Sequence, residues 1–278
     1  MTDFTSIDHY IDTHLDANIS ELSDLCAQPS VAAQNLGLEE AADMVAKMLG
    51  KRGFTVEIIP TDGAPVVFGE CKGRTDKTLL IYNHYDVQPA EPLALWESPP
   101  FEPTIRDGKL YARGVSDDKG HFTNRLLAID SVLETDGELP CNIKFIVEGE
   151  EEVGSIHLPG FVEKNADKLA ADACIWEFGE VDQRGVPIQY LGLRGICYVE
   201  LSVETADIDI HSGLGGSIFP NAAWRLVWAL GTLKTPDEVI NIPGHYDSVV
   251  PPSKRDRELL ESLPEVSEEY KQRYGVQT

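Results

Sequence analysis

Leu79-Leu80-Ile81-Tyr82-Asn83-His84-Tyr85-Asp86 is the stretch on which the fold turns. Leu79–Tyr82 form a short apolar run suited to a buried strand, and the run leads into a histidine with an aspartate two residues later. In open α/β sheets, ligands bind where strands end, so chemistry-bearing residues in that position also bear on function. Outward from this segment, further strands are expected at Phe54–Ile59, Val66–Cys71, Asn142–Val147 and Ala173–Phe178, with a short one at Lys109–Arg113. Phe4, Ile7, Ile11, Leu15, Ile19, Leu22 and Leu25 recur at spacings of three and four, the mark of an amphipathic helix. A second helix is expected over about 38–51 with Gly53 as its C-cap, and others over about 119–133 and 159–170. Helices alternating with apolar strands predict an α/β sandwich with a largely parallel sheet.

After Gly192 the texture changes. Ile196–Val203 reads as a long strand and Pro220–Leu233 as a helix with proline in its first turn. The stretch over about 254–273 reads as helical with no evident partner. The expected organisation is one domain over residues 1–192 and a smaller, incomplete α+β domain over 193–278.

A chain of 278 residues exceeds a typical single domain and is large enough to be stable without disulfides. Its 47 acidic and 23 basic residues give a formal charge of −24, which repels phosphate and argues against nucleic-acid or anionic-membrane partners. A solvated acidic surface accounts for most of that excess, and bound divalent cations would offset part of it. The five cysteines are odd in number, widely spaced and form no C-x-x-C pair, so neither a zinc ribbon nor a disulfide framework is indicated. Cys141 and Cys174 lie in apolar runs and read as buried thiols. The first twelve residues, MTDFTSIDHYID, contain acids and no apolar core, unlike a signal peptide. No apolar run approaches the roughly 18 residues of a membrane span. A soluble, cytoplasmic protein is expected.

Four clusters carry candidate chemistry. His84 could ligate a metal with Asp86 accepting its second ring N–H, although H-x-D alone suits a structural histidine better. In Gly114-Val115-Ser116-Asp117-Asp118-Lys119-Gly120, adjacent acids before a helix read first as N-caps that favour the dipole. In Val147-Glu148-Gly149-Glu150-Glu151-Glu152, three consecutive glutamates at a strand end repel one another unless protonated or neutralised by a cation, and they read equally as a solvated acidic loop or as a site. Glu177, inside Ile175-Trp176-Glu177-Phe178, is a carboxylate in an apolar run and needs an arginine or a metal as partner.

Taken in order, these clusters resemble the two-zinc peptidase and deacylase family of carnosine dipeptidases, carboxypeptidase G, acetylornithine deacetylase and succinyl-diaminopimelate desuccinylase. The resemblance spans about residues 36–233 and rests on HYDVQP, W-x-S-x-P-F-x-P, DGKLYARGVSDDKG, EGEEEVGS, and GLRG followed by DIHSG. It is strongest toward the peptidase branch. It implies a three-layer α/β/α catalytic domain with part of a lid and dimerisation domain, two zinc ions (manganese or cobalt as substitutes), and a small peptide or N-acyl amino acid as substrate. By the match, Asp117 would bridge the two ions, His84 and Glu177 would hold one, and Glu152 the other. Glu151 would be the general base and Asp86 would orient His84. In relatives the peptide bond between the two aspartates matching Asp117 and Asp118 is cis. His211 would reach the partner subunit's active site in a homodimer and help stabilise the oxyanion; otherwise it reads as structural. Asn221 is a weaker candidate for substrate contact, a helix-start residue being the plainer reading. Two departures stand out. Glutamate at 177 follows the carboxypeptidase and deacylase pattern, where dipeptidases carry aspartate. The family's last histidine ligand has no match, because His245 lies in an unrelated Pro-Gly-His-Tyr context. The resemblance therefore implies a truncated chain with little or no activity by itself, and three expected readings: a dipeptidase or carboxypeptidase-like hydrolase, an acyl-amino-acid deacylase, or a non-catalytic zinc-binding chain.

Overall fold

Strand β6, reading Asn142-Ile-Lys-Phe-Ile-Val-Glu148, sits in the middle of a five-stranded mixed sheet. The computed structural model describes residues 4–177, 179–182, 184–188, 190 and 195–276, which fall into two compact units, Met1–Leu193 and Arg194–Thr278. In the first unit, helices α1 (Thr5–Ala27) and α2 (Leu38–Gly50) precede strands β1 (Thr55–Ile59), β2 (Val66–Cys71) and β3 (Thr78–His84). The hairpin of β4 (Thr104–Arg106) and β5 (Lys109–Tyr111) leads to α3 (Lys119–Asp136), then β6 (Asn142–Glu148), α4 (Leu158–Lys164), α5 (Ala166–Leu169) and β7 (Ala173–Ile175). The two-residue strands β8 (Glu180–Val181) and β9 (Pro187–Ile188) pair with each other.

The sheet order is β1-β2-β6-β3-β7. The expected parallel part is β6, β3 and β7, while β1 and β2 are added antiparallel. Side-chain alternation explains the layering, since successive residues of a strand face opposite sides. Ile143, Phe145 and Val147 of β6, Val67 of β2 and Ile81 of β3 pack in one apolar cluster with residues of α1, α2 and α3. Ile146, Val66, Phe68 and Tyr82 face the other way, where Phe161 of α4 and Leu169 of α5 cover them. The unit is thus helix–sheet–helix. Phe145, 0% exposed, makes edge-to-face contacts with Phe54 and Phe122 at 5.6 and 5.8 Å between ring centres.

Parallel register decides where the chemistry falls. His84 pairs with Glu148, and Ile81 with Ile175, so the ends of β3, β6 and β7 open onto one sheet edge. The loops beyond them carry Asp86, Glu151, Glu152 and Glu177.

The second unit contains α6 (Ser212–Gly215), α7 (Ala222–Leu233), α8 (Lys254–Glu261) and α9 (Ser267–Tyr274). Several expectations are corrected here. Residues 195–203 form no strand, and Ile196, Tyr198 and Val199 are strongly exposed; β propensity makes no strand without a ladder partner, and none is present among the described residues. Pro220 precedes the helix rather than opening it, because Asn221 is the N-cap, its side chain accepting from Trp224 N–H at 3.1 Å. The stretch over 254–273 is two helices, separated at Ser262–Val266. The one over 159–170 divides at Asn165. Cys174 is exposed and Cys141 only partly buried, so neither is the interior thiol expected. On α1 the apolar stripe is buried only toward its C-terminal half, at Leu22 and Leu25, whereas Leu15 is exposed. Phe178, most of GLRG and the expected domain boundary at 192/193 lie outside the described residues. Phe145→Ala should lower the stability of the chain by about 3–5 kcal/mol in denaturant unfolding, because a cavity opens where the two helix-side aromatics meet the sheet.

Candidate metal centre

His84 ends β3 with its side chain 1% exposed. Its Nδ1 is 3.1 Å from the Asp86 carbonyl oxygen and 3.3 Å from Asp86 Oδ1. Its Nε2 points into a group of carboxylates: Asp117 Oδ1 at 2.9 Å, Glu177 Oε2 at 3.3 Å and Glu151 Oε2 at 4.0 Å. Burial pulls this imidazole toward its neutral form, but hydrogen bonds to Asp117 and Asp86 and the charge of Asp118 outweigh burial and push it up to about 12. Both ring nitrogens of His84 thus face oxygens of Asp86 and Asp117, contacts that favour the charged imidazole beside these carboxylates.

Asp86 works on two sides. Fully buried, it faces His84 with one oxygen, and its carboxylate also accepts the backbone N–H groups of Glu151 (3.2 Å) and Glu152 (3.0 Å). Those amides open a short 3₁₀ turn over Glu151–Val153, where a carboxylate is favoured by the free N–H groups. One buried side chain therefore fixes the glutamate pair relative to the histidine. Sequence reasoning assigned Asp86 only the orientation of His84.

The three consecutive glutamates separate into different roles. Glu150 turns to His157, 2.7 Å away. Glu152 Oε2 accepts from the Gln88 side chain at 2.7 Å. Glu151 faces His84. Burial, opposed by the charge of His84 and aided by those of Asp117, Asp86 and Asp118, raises Glu151 above the ordinary carboxylate range, and burial likewise raises Glu152. Glu148, 2% exposed at the end of β6, accepts from Tyr82 Oη (2.6 Å) and Ser155 Oγ (2.7 Å), which closes the loop that carries the pair.

The aspartate pair is joined by a cis peptide. Asp117 is exposed and reaches His84, whereas Asp118 is 1% exposed. Asp118 occupies the N-cap position of α3, yet its side chain caps nothing. It accepts instead from Asn83 Nδ2 (2.6 Å) and His84 N–H (3.1 Å) with Oδ2, and from His121 Nδ1 (2.9 Å) with Oδ1. The capping reading of the pair thus gives way to packing against β3. Asp118 does lie close enough for His84, Asp118 and Glu177 to present donor atoms within 4.8 Å of one another. Both Asp118 oxygens already have partners, and Asp117 keeps the freer carboxylate. Asn83, His121, Gln88, Tyr82 and Glu148 had no local sequence signal; their partners lie up to 66 residues away.

A divalent cation fits these residues. Glu177 Oε2 is buried with no hydrogen-bond partner, and burial pushes the Glu177 carboxyl up to about 7; a bound cation would satisfy such an oxygen. Imidazole nitrogen with carboxylate oxygens is a donor set that suits zinc and other first-row divalent ions. In the second unit, His211 is the N-cap of α6 and its Nδ1 accepts from Gly213 N–H at 3.0 Å. His245 packs its ring against Tyr246 at 4.8 Å.

The model of peptidase family M20/M25/M40 matches residues 80–276. The chain belongs to that family, and so to a class of metal-dependent peptidases. Human Beta-Ala-His dipeptidase is 34% identical over 94% of this chain and 55% of its own length. The Cys-Gly metallodipeptidase dug1 of Schizosaccharomyces pombe is 32% identical over 96% of this chain and 60% of its own length. Among solved structures, the M20 family metallo-carboxypeptidase Sso-CP2 from Sulfolobus solfataricus superposes with a TM-score of 0.88 at 37% identity, over 94% of this chain and 60% of that one. Human carnosine dipeptidase 1 gives 0.76 at 27% identity, over 98% and 61%. The chain therefore spans little more than half the length of these relatives.

In the metal-free protein, the folded state holds the Glu177 proton up to about 7 against 4.5 when unfolded. Its contribution to stability is full below the unfolded value and is lost as pH rises through about 7. Urea unfolding of the metal-free chain should show this loss, and Glu177→Gln should flatten that part of the profile.

Proposed function

We propose that this chain carries the catalytic centre of a two-zinc peptidase that hydrolyses the amide bond of dipeptides or small peptides. The observation that carries the reading is the single group formed by His84, Asp117, Glu151 and Glu177, with Asp86 bonded to the backbone of the glutamate pair. The names of the dipeptidase relatives support the substrate class. His84 and Glu177 would hold one ion, Glu152 the other, and Asp117 would bridge them. Bound there, the ions would supply Lewis acidity toward the scissile carbonyl and toward water.

The chain's own groups do the proton work. Glu151, raised above the usual carboxylate range, accepts a proton as the water oxygen attacks the carbonyl carbon, then gives it to the departing amine nitrogen when the C–N bond breaks. Asp86 keeps His84 oriented through its Nδ1 side and keeps the Glu151 backbone in place. His211 would stabilise the oxyanion across a homodimer formed through the second unit, which would serve as lid. A cytoplasmic location is part of the same proposal. Glutamate at position 177 keeps an N-acyl-amino-acid deacylase as the second reading.

Glu151→Gln should lower kcat on dipeptides by about 10²–10⁴-fold while leaving metal content unchanged in elemental analysis. Loss of metal from that variant would instead make Glu151 a ligand. A preference for N-acyl amino acids over dipeptides of more than about tenfold in kcat/KM, or ~1.4 kcal/mol, would select the deacylase reading. Absence of turnover on both with zinc, manganese or cobalt would leave a metal-binding chain without catalysis.

A further inference from the structure

The strand that delivers Glu177 is short. β7 pairs with β3 only over Ala173–Ile175, so Glu177 stands two residues beyond the last ladder position. Two side chains of α3 anchor the backbone on both sides of it. Arg125 donates from Nη2 to the Trp176 carbonyl oxygen at 3.0 Å, and from Nη1 to the Tyr82 carbonyl oxygen on β3 at 2.9 Å. His121 Nε2 is 2.7 Å from the Gly179 carbonyl oxygen, while its Nδ1 is 2.9 Å from Asp118 Oδ1. Both ring nitrogens of His121 thus face acceptors and both donate. His121 and Arg125 are one helical turn apart and share a face of α3. The same helix begins beside Asp117 and Asp118.

We infer that His121 and Arg125 are positioning residues that set the distance between Glu177 and the His84–Asp117 pair. Resting on the reading of Glu177 as a metal ligand, the inference adds that α3 does for Glu177 what Asp86 does for the glutamate pair. A carboxylate two residues past its ladder would otherwise move with its loop, and a flexible ligand binds metal more weakly. Support of this kind around ligands is worth about 10–100-fold in metal affinity.

The test uses the full chain, stripped of metal, titrated with Zn²⁺ by calorimetry and with Co²⁺ by visible absorption. His121→Phe and Arg125→Met should each weaken the ion that loses Glu177 by about tenfold or more and alter the Co²⁺ spectrum. Arg125→Lys, which keeps a donor, should recover part of the loss. A merely structural role would lower the melting temperature of the metal-free chain and leave affinity and spectrum at wild-type values. Glu177→Gln is run in parallel. If it weakens binding while His121→Phe and Arg125→Met do not, the positioning role is overturned. If Glu177→Gln itself changes nothing, the ligand reading falls and the inference with it. Should Arg125→Met fail to fold, His121→Phe decides alone, since it removes both donors while keeping an aromatic ring.

Discussion

A buried imidazole whose Nε2 faces three carboxylates governs the rest of this structure. Placing Asp117, Glu151 and Glu177 around one point costs free energy through mutual repulsion and lost hydration unless positive charge is present. The contacts of His84 with Asp117 and Asp86 favour its charged form, which offsets part of that cost. In the proposed reading the same nitrogen would donate to a bound cation, with Asp117 and Glu177 as ligands and Glu151 left as the base. The acidic motifs and the polar contacts behind the site are arranged around this requirement.

The fold meets it by register more than by local design. Parallel pairing of β6, β3 and β7 brings three strand ends to one edge, and the loops beyond them hold the acids. Local bonds then fix each loop. Asp86 holds the Glu151–Glu152 amides, Glu148 closes the same loop through Tyr82 and Ser155, and Asp118 ties the aspartate pair to Asn83 and His84. Each of these acceptors is almost fully buried, which makes its bonds strong and a missing partner costly. The acids that face His84 Nε2 or solvent are therefore supported by acids buried behind them.

Legibility in the sequence followed the range of the physics. Strands β2, β3 and β6 and helices α2 and α3 were readable because apolar periodicity is local and each element buries a face. His84 stands out as a polar residue at the end of an apolar run, and Glu177 as a carboxylate within one. Asp118 did not, because an acid before a helix has a local explanation as a cap, and its actual partners Asn83 and His84 come from another strand. Gln88, His121 and Arg125 gave no signal for the same reason. The expected strand at Ile196–Val203 failed in the opposite sense: its composition favours extension, but no neighbouring strand among the described residues completes a ladder. The glutamate pair was recognisable as a site, while the division of labour among Glu148, Glu150, Glu151 and Glu152 depends on distant residues.

Anomalous diffraction from crystals of the zinc-loaded chain, recorded at the zinc absorption edge, tests the central claim most directly. A peak is expected about 2.0–2.1 Å from His84 Nε2 with Asp117 and Glu177 oxygens in its shell. Zinc bound elsewhere, with His84 Nε2 still hydrogen-bonded to Asp117, would contradict it.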